Sequence, residues 1–542
     1  MTNTLLTLEG VSLVLPDGKP LFSHLSAQFD ARHTGMVGRN GVGKSLLAQI
    51  LAGLVIPTSG NCSGSQKVRY LAQHLSPQHY DTVAMLAGVD VPLAALTRIE
   101  AGSTCQSDFD LVADNWDIRQ RLQIQLALAG LDYLSPETAT SRLSGGEAMR
   151  VALSGATLSD PDFLILDEPT NHLDRSSRDA LIAQLNCWPR GLLVISHDRR
   201  LLQQMERIVE LSSLGLHSYG GNYDTYQQIK ALETTAALQQ LDHLKIERKR
   251  KEQALRDKRE RLEKRQSRGS RLGKEANQAK ILLGRQKGRS EASAGKHEKQ
   301  LTETHIRLNQ QVENAARNIE RAPQIVMHGH SPFEALSHQV IRLTDIRLPF
   351  APVPFNKLEL TIYGGQRVAV KGPNGCGKST LLKILAGQLS PLQGECDIRR
   401  NLAYLDQQLS LLDSQRSVLD QLLAVNTQAG ESQLRMQLAQ LGLDVTRATL
   451  PCGQLSGGEQ LKAALATVIY AYPPATCLLL DEPSNHLDLV SLEALELLLN
   501  QYSGTLLVVS HDEVFLSQLG LTHELVAGEN GWEFTQAKTC SA

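Results

Sequence analysis

A chain of 542 residues with 42% apolar composition is too long for one hydrophobic core and suits two domains of roughly 200 residues each with a segment between them. Its formal net charge of −2 excludes a protein that coats nucleic acid along its whole surface, and apolar runs such as Leu192 to Ile195 fall far short of the ~20 residues that span a bilayer. Eight cysteines without a C-x-x-C spacing, and no charged-then-apolar leader, read as reduced thiols of a cytoplasmic protein.

In chain order, a short strand at Met36-Val37 leads into the loop Gly38-Arg-Asn40-Gly41-Val-Gly43-Lys44-Ser45, and the loop leads into an apolar helical pattern, Leu46 to Ala52. Gln73 follows, then a segment that reads as mostly helical, then Leu143-Ser144-Gly145-Gly146-Glu147. The continuous apolar run before Asp167-Glu168-Pro169 predicts a strand buried on both faces of an α/β sheet, and Leu192 to Ile195 repeats this before Ser196-His197-Asp198. These elements make up a first domain over residues 1–229.

Residues 230–323 form a linker that matches neither flank. Between 245 and 299 it carries 20 Lys and Arg against 8 Asp and Glu, and it holds no aromatic residue. A thin heptad seam (Leu241, Leu255, Leu262, with Arg248 interrupting) precedes a fuller one (Leu301, His305, Leu308, Val312, Ala315, Ile319). The pattern predicts two long helices paired antiparallel, joined by a mobile basic tip around Gly269, Gly273, Gly284, Gly288 and Gly295.

A second domain, residues 324–542, repeats the first. A strand at Arg367 to Val370 precedes Gly372-Pro-Asn374-Gly375-Cys-Gly377-Lys378-Ser379-Thr380, and Gln407, Leu455-Ser456-Gly457-Gly458-Glu459, Asp481-Glu482-Pro483 and Ser510-His511-Asp512 follow in the same order. From Ser144 to His197 the offset between copies stays at 312 to 314 residues, the mark of a duplicated domain. The span from Gln to Ser-Gly-Gly is about 22 residues longer in the first copy, with the excess placed around Val89 to Trp116.

Strand, glycine-rich loop, helix is the context in which backbone N–H groups wrap phosphate oxygens, with Lys44 and Lys378 reaching the terminal phosphates and the Ser45 and Ser379 hydroxyls ligating Mg²⁺. Asp167 and Asp481, ending apolar strands, can hold the Mg²⁺ shell through water. Glu168 and Glu482 then stand where an attacking water is oriented or deprotonated. One such loop could arise by chance, but two in register with the other motifs could not.

With these motifs the chain resembles the ATP-binding cassette ATPases over both domains, and Leu-Ser-Gly-Gly-Glu is the element that separates that family from other enzymes with this phosphate loop. The resemblance implies head-to-tail docking within one monomeric chain. Lys44 and Glu168 would then share an ATP site with Ser456 and Gly458, and Lys378 and Glu482 with Ser144 and Gly146; Gly145 and Gly457 lie in the same turns. It further implies that Gln73 and Gln407 sense Mg²⁺ and the γ-phosphate, and that His197 and His511 contact the γ-phosphate. Phe350 stands where an aromatic stacks on adenine and could equally be a core aromatic; Leu15 is its counterpart in the first domain. Cys376 reads as a spacer within its loop.

Asn171-His-Leu-Asp174, Asn485-His-Leu-Asp488 and Tyr219-Gly-Gly-Asn-Tyr-Asp-Thr-Tyr226 resemble the ABC-F subfamily, soluble tandem ATPases. That resemblance implies binding to the ribosome and tRNA, no membrane partner, and an action on translation or in antibiotic protection. Arg259, Arg261, Lys264, Arg265, Arg268, Arg271 and Lys274 are the candidate contacts to an RNA backbone, and the lack of aromatics favours structured RNA over stacked single strands. The importer ATPase subunit and the DNA-associated ATPase are the competing readings.

Overall fold

The computed structural model describes residues 6–65, 67–73, 80–171, 173–275, 338–398, 401–485 and 487–537, with isolated positions between 306 and 312. By contacts the chain divides into two units, Met1–Tyr223 with Pro323–Ala542, and Asp224–Ala322.

The first unit holds both copies. In the first copy β1 (Leu6–Val14), β2 (Pro20–Phe29) and, later, β4 (Ser59–Gly64) form a three-stranded antiparallel sheet in the order β2-β1-β4. The central sheet is built from β3 (His33–Val37), β5 (Val68–Leu71), β6 (Phe163–Asp167), β7 (Gly191–Ile195), β8 (Arg207–Ser212) and β9 (Gly215–Gly220), ordered β5-β6-β7-β3-β8-β9. All its pairs are parallel except β8 with β9. Every residue of β6 and β7 is buried, as continuous apolar runs require. Phe29 of the small sheet meets Phe163 of the large one edge to face, ring centroids 6.4 Å apart, and anchors the core between them.

The second copy repeats this with β10 (Gln339–Arg347), β11 (Lys357–Tyr363) and β13 (Gln393–Ile398) in the small sheet. Its large sheet, with β12 (Arg367–Lys371), β14 (Leu402–Leu405), β15 (Cys477–Asp481), β16 (Thr505–Val509), β17 (His523–Gly528) and β18 (Gly531–Gln536), runs β14-β15-β16-β12-β17-β18. Register is preserved between copies: Asp167 faces Ile195 across its pair and Asp481 faces Val509.

The extra residues of the first copy form two helices, Asp90–Glu100 and Gln106–Val112, between Val83–Ala87 and Ile118–Leu128. Asp108 ties them together, accepting from Arg98 at 2.7 Å and from Ser103 at 2.6 Å.

The second unit opens as a helix, which begins at Tyr223 and runs through Glu275, a stretch of 53 residues. The helix contains Gly269 and Gly273, which the sequence reading assigned to the tip. Each glycine costs about 1 kcal/mol of helix propensity against alanine, and neighbours such as Arg268, Arg271, Leu272 and Lys274 are good helix formers that offset it. Pairs one turn apart, Glu247 with Lys251 at 2.5 Å and Glu260 with Lys264 at 3.8 Å, reinforce it. Most of the predicted second helix, and the remaining tip glycines, lie outside the described residues.

Candidate nucleotide sites

Each phosphate loop closes on a glycine that only a residue without Cβ adopts cheaply: Gly43 has φ 103° and Gly377 φ 104°, immediately before helices Lys44–Leu51 and Lys378–Leu385. The lysine that opens each helix folds back into the loop. Lys44 Nζ donates to the carbonyls of Gly38 at 2.6 Å and Arg39 at 3.1 Å, and Lys378 Nζ to those of Gly372 at 2.9 Å and Pro373 at 3.0 Å. Both ammoniums are buried, and burial lowers the pKa of Lys44. Each ammonium is thus held inside its own loop by two backbone carbonyls.

The carboxylates stand opposite. Ser379 donates to Asp481 at 3.1 Å, and Tyr404, on β14, donates to the other oxygen of Asp481 at 3.2 Å. Tyr70, on β5, makes the same bond to Asp167 at 3.1 Å. The sequence reading missed both tyrosines, although each stands three residues before the glutamine of its copy, a coincidence that aligning the repeats exposes.

Glu168 and Glu482 follow with φ 48° and 50°, a left-handed backbone unusual for a side chain of this kind. Glu168 is buried, and Glu482 keeps one carboxyl oxygen buried; burial raises both carboxyl pKa values, that of Glu482 to about 7. The histidines face them: His197 Nε2 lies 3.3 Å from Glu168 and His511 Nε2 3.4 Å from Glu482. The backbone N–H of His511 also donates to Glu482 at 3.3 Å. Burial, then the nearby lysine charge, pushes His197 down to about 3 and His511 to about 4, so both imidazoles are neutral at pH 7.

Lys44, Ser45, Gln73, Asp167, Glu168 and His197 converge on one cavity of about 510 Å³, with Leu15 and Leu21 at its edge. Its far wall comes from the other copy, through Ser484, Asn485, Leu487, Leu492 and Asp512. Gln407, Asp481 and Glu482 line a smaller cavity of about 160 Å³ with Gly457, Gln460 and Leu461 of their own copy. Ser144 and Ser456 begin helices Gly145–Leu158 and Gly457–Ile469 with reciprocal caps to Glu147 and Glu459. Ser456 is not among the residues of the larger cavity. Its helix adjoins that wall, since a Cβ at Gly458 would lie 2.5 Å from Ser491 Oγ and 3.8 Å from Leu487.

Phe350 is 90% exposed at φ 64°, which removes it from the core and leaves the stacking reading. Cys376 is buried, and burial raises its thiol pKa, the behaviour of a spacer. Arg261 and Lys264 are exposed on the long helix; the side chains of Arg259, Arg265, Arg268, Arg271 and Lys274 lie outside the described ones.

The two copies are docked through their phosphate loops. Asp488 caps helix Leu489–Gln501 by accepting from Ser491 N at 2.8 Å, and its other oxygen accepts from the backbone N–H of Asn40 at 2.9 Å. Asp174 does the same with Ser177 at 2.9 Å and the backbone of Asn374. One carboxylate therefore serves as helix cap and interface bond at once. Asp488→Ala should cost about 1 kcal/mol from the cap alone and weaken ATP binding at the Lys44 site more than at the Lys378 site; calorimetry on the Lys44→Ala and Lys378→Ala backgrounds reads the difference. Equal weakening at both sites would count against the interlock.

Among the described residues no helix is long and apolar enough to cross a membrane. A family profile described as "ABC transporter" matches residues 25–171 and 355–485. "ABC transporter F family member 5" of Arabidopsis thaliana is 31% identical over 520 residues, spanning 90% of this chain and 69% of that protein. "ATP-binding protein Uup" of Haemophilus influenzae is 29% identical over 553 residues, spanning 94% of this chain and 77% of that one. Among solved structures, the archaeal ribosome recycling factor aABCE1, in complex with the ribosomal stalk protein aP1, matches with TM-score 0.59 at 20% identity, over 97% of this chain and 89% of its own. A "Model of ribosome-bound archaeal Pelota and ABCE1" matches with TM-score 0.51 at 18% identity, over 93% of this chain and 75% of that one. At such identities the likeness is one of fold. With both cassettes matched and a relative of the F type 31% identical over 90% of this chain, the chain belongs to the ABC-F family of tandem ATP-binding cassette ATPases and hydrolyses ATP.

Proposed function

We propose that the chain is a cytoplasmic, monomeric ribosome-associated factor whose cassettes close on ATP and thereby fix the basic linker against ribosomal RNA and tRNA. The observation that carries this reading is the interlock of each phosphate loop with the other cassette's aspartate, through Asn40 with Asp488 and Asn374 with Asp174. Nucleotide held in such a loop bears directly on how the cassettes dock. The ribosome association of the solved neighbours and the charge of the linker support the choice of partner.

In each site the loop glycines, Asn40 or Asn374, and Lys44 or Lys378 with Ser45 or Ser379 and Thr380 bind the phosphates. Ser144, Gly145 and Gly146, or Ser456, Gly457 and Gly458, complete the opposite site, and Phe350 stacks on adenine. Glu168 and Glu482 orient and deprotonate water while neutral His197 and His511 face the γ-phosphate. The hard oxygens of Ser45, Gln73 and Asp167, and of Ser379, Gln407 and Asp481, suit Mg²⁺; Ser379 and Asp481 already stand 3.1 Å apart. Bound there, Mg²⁺ would neutralise charge that develops on the phosphates.

Arg259, Arg261, Lys264, Arg265, Arg268, Arg271 and Lys274 would neutralise RNA phosphates, so ribosome binding should weaken steeply with salt. The test is co-sedimentation of a Glu168→Gln, Glu482→Gln chain with ribosomes in ATP at several salt concentrations. Binding that requires ATP and falls with salt supports the reading. A chain found only in the free fraction, or one that prefers branched DNA or a membrane permease at matched salt, overturns it.

A further inference from the structure

Arg178 lies on helix Arg175–Asn186 of the first cassette, outside every phosphate-handling motif, and is 8% exposed. Its Nε stands 3.2 Å from Asp198, the residue after His197, and its Nη1 donates at 3.2 Å to the backbone carbonyl of His511 in the second cassette. A single buried guanidinium therefore touches both histidine-bearing loops, one beside each ATP site. Asp198 is fixed in turn, since it caps helix Arg199–Leu202 by accepting from Arg200 N at 2.9 Å and Leu201 N at 3.2 Å. Asp512 caps the corresponding helix through Phe515 N at 3.0 Å and lies within electrostatic reach of both Arg178 and Asp198.

The repeat-related position of the second cassette holds Leu492, an apolar residue in the wall of the larger cavity. Among the described residues this link occurs once. A planar group with donors on two sides, buried at low dielectric, responds to a shift of either loop by losing or improving the bond to the other.

We infer that Arg178 is a positioning residue that couples the two ATP sites, transmitting the placement of the His197–Asp198 loop to the His511 loop and back. ATP bound at one site orders its own histidine loop, and Arg178 carries that order across the interface, so binding at the second site costs less. The coupling is reciprocal by linkage. It goes beyond the ribosome reading and needs only that both sites bind ATP.

The experiment is equilibrium binding of ATP to the full chain carrying Glu168→Gln and Glu482→Gln, in Mg²⁺ and without ribosomes. The parent should bind cooperatively, with a Hill coefficient of about 1.5 to 2, the ceiling for two sites. Adding Arg178→Leu, the residue its repeat-mate already carries, should bring the coefficient to about 1. Arg178→Gln, which can reach one loop but not both, should do the same and serves where the leucine variant does not fold. Glu496→Gln is the control, because it loosens the same interface through Arg199 while leaving both contacts of Arg178, to Asp198 and to the His511 carbonyl, in place, and it should leave cooperativity in place. A non-cooperative parent, undiminished cooperativity in the Arg178 variants, or equal loss in Glu496→Gln would each overturn the assignment.

Discussion

Replacing Glu168 and Glu482 by glutamine should lower the rate of ATP hydrolysis by about 10² to 10⁴, the range for removal of a positioned general base, with ATP still bound. The same positions should show the opposite effect on stability. Each glutamate sits near φ 50° with its carboxyl turned into the interior, and strain of this sort costs about 1–3 kcal/mol where the surroundings impose it. Glycine relieves the backbone and removes the buried carboxyl, so Glu482→Gly should be as inactive as Glu482→Gln and melt at a higher temperature. Phosphate release and calorimetry on the two variants check both halves. A glycine variant that melts below the glutamine one would show that the left-handed backbone is not strained.

The second large effect is expected at Arg199 and Glu496, both 8% exposed, which pair across the cassette interface at 2.7 Å through one nitrogen and 3.4 Å through the other. Burial lifts the Glu496 carboxyl pKa, and the Arg199 guanidinium opposes that rise. Removing one partner of such a pair leaves the other's charge buried, at a cost of about 3–5 kcal/mol. Arg199→Met should therefore destabilise the docked cassettes by that amount, whereas Arg199→Met with Glu496→Met should recover most of it. If single and double variants melt alike, the pair is not buried in solution as it is here.

Much of the fold was legible because the motifs carry their own local structure. A glycine loop between a β-branched strand and a leucine-rich helix can fold in few ways, and doubling it fixed the register of everything between. The phosphate-facing residues were legible for the same reason. Arg178, Arg199 and Glu496 were not, because their roles depend on neighbours brought in by tertiary packing, and Tyr70 and Tyr404 were marked only by their shared spacing to the glutamines. The signal was in the departures from the repeat, since Arg178 aligns with Leu492 and Glu496 with Ile182, and each of these unmatched charges makes a bond across the seam. The glycines at 269 and 273 misled in the other direction, because turn chemistry was given more weight than the helix propensity around them.

The ion pairs that cross the interface among the described residues take every cation from the first cassette, Arg175, Arg199 and Arg200, and every anion from the second, Glu496 and Glu513. Such one-sidedness selects a mate. Two first cassettes brought together would leave Arg199 facing Ile182 without its carboxylate, and two second cassettes would set Glu496 against Glu513. The two copies of one fold are thus unlike halves, each carrying a surface whose charges are complementary to the other's.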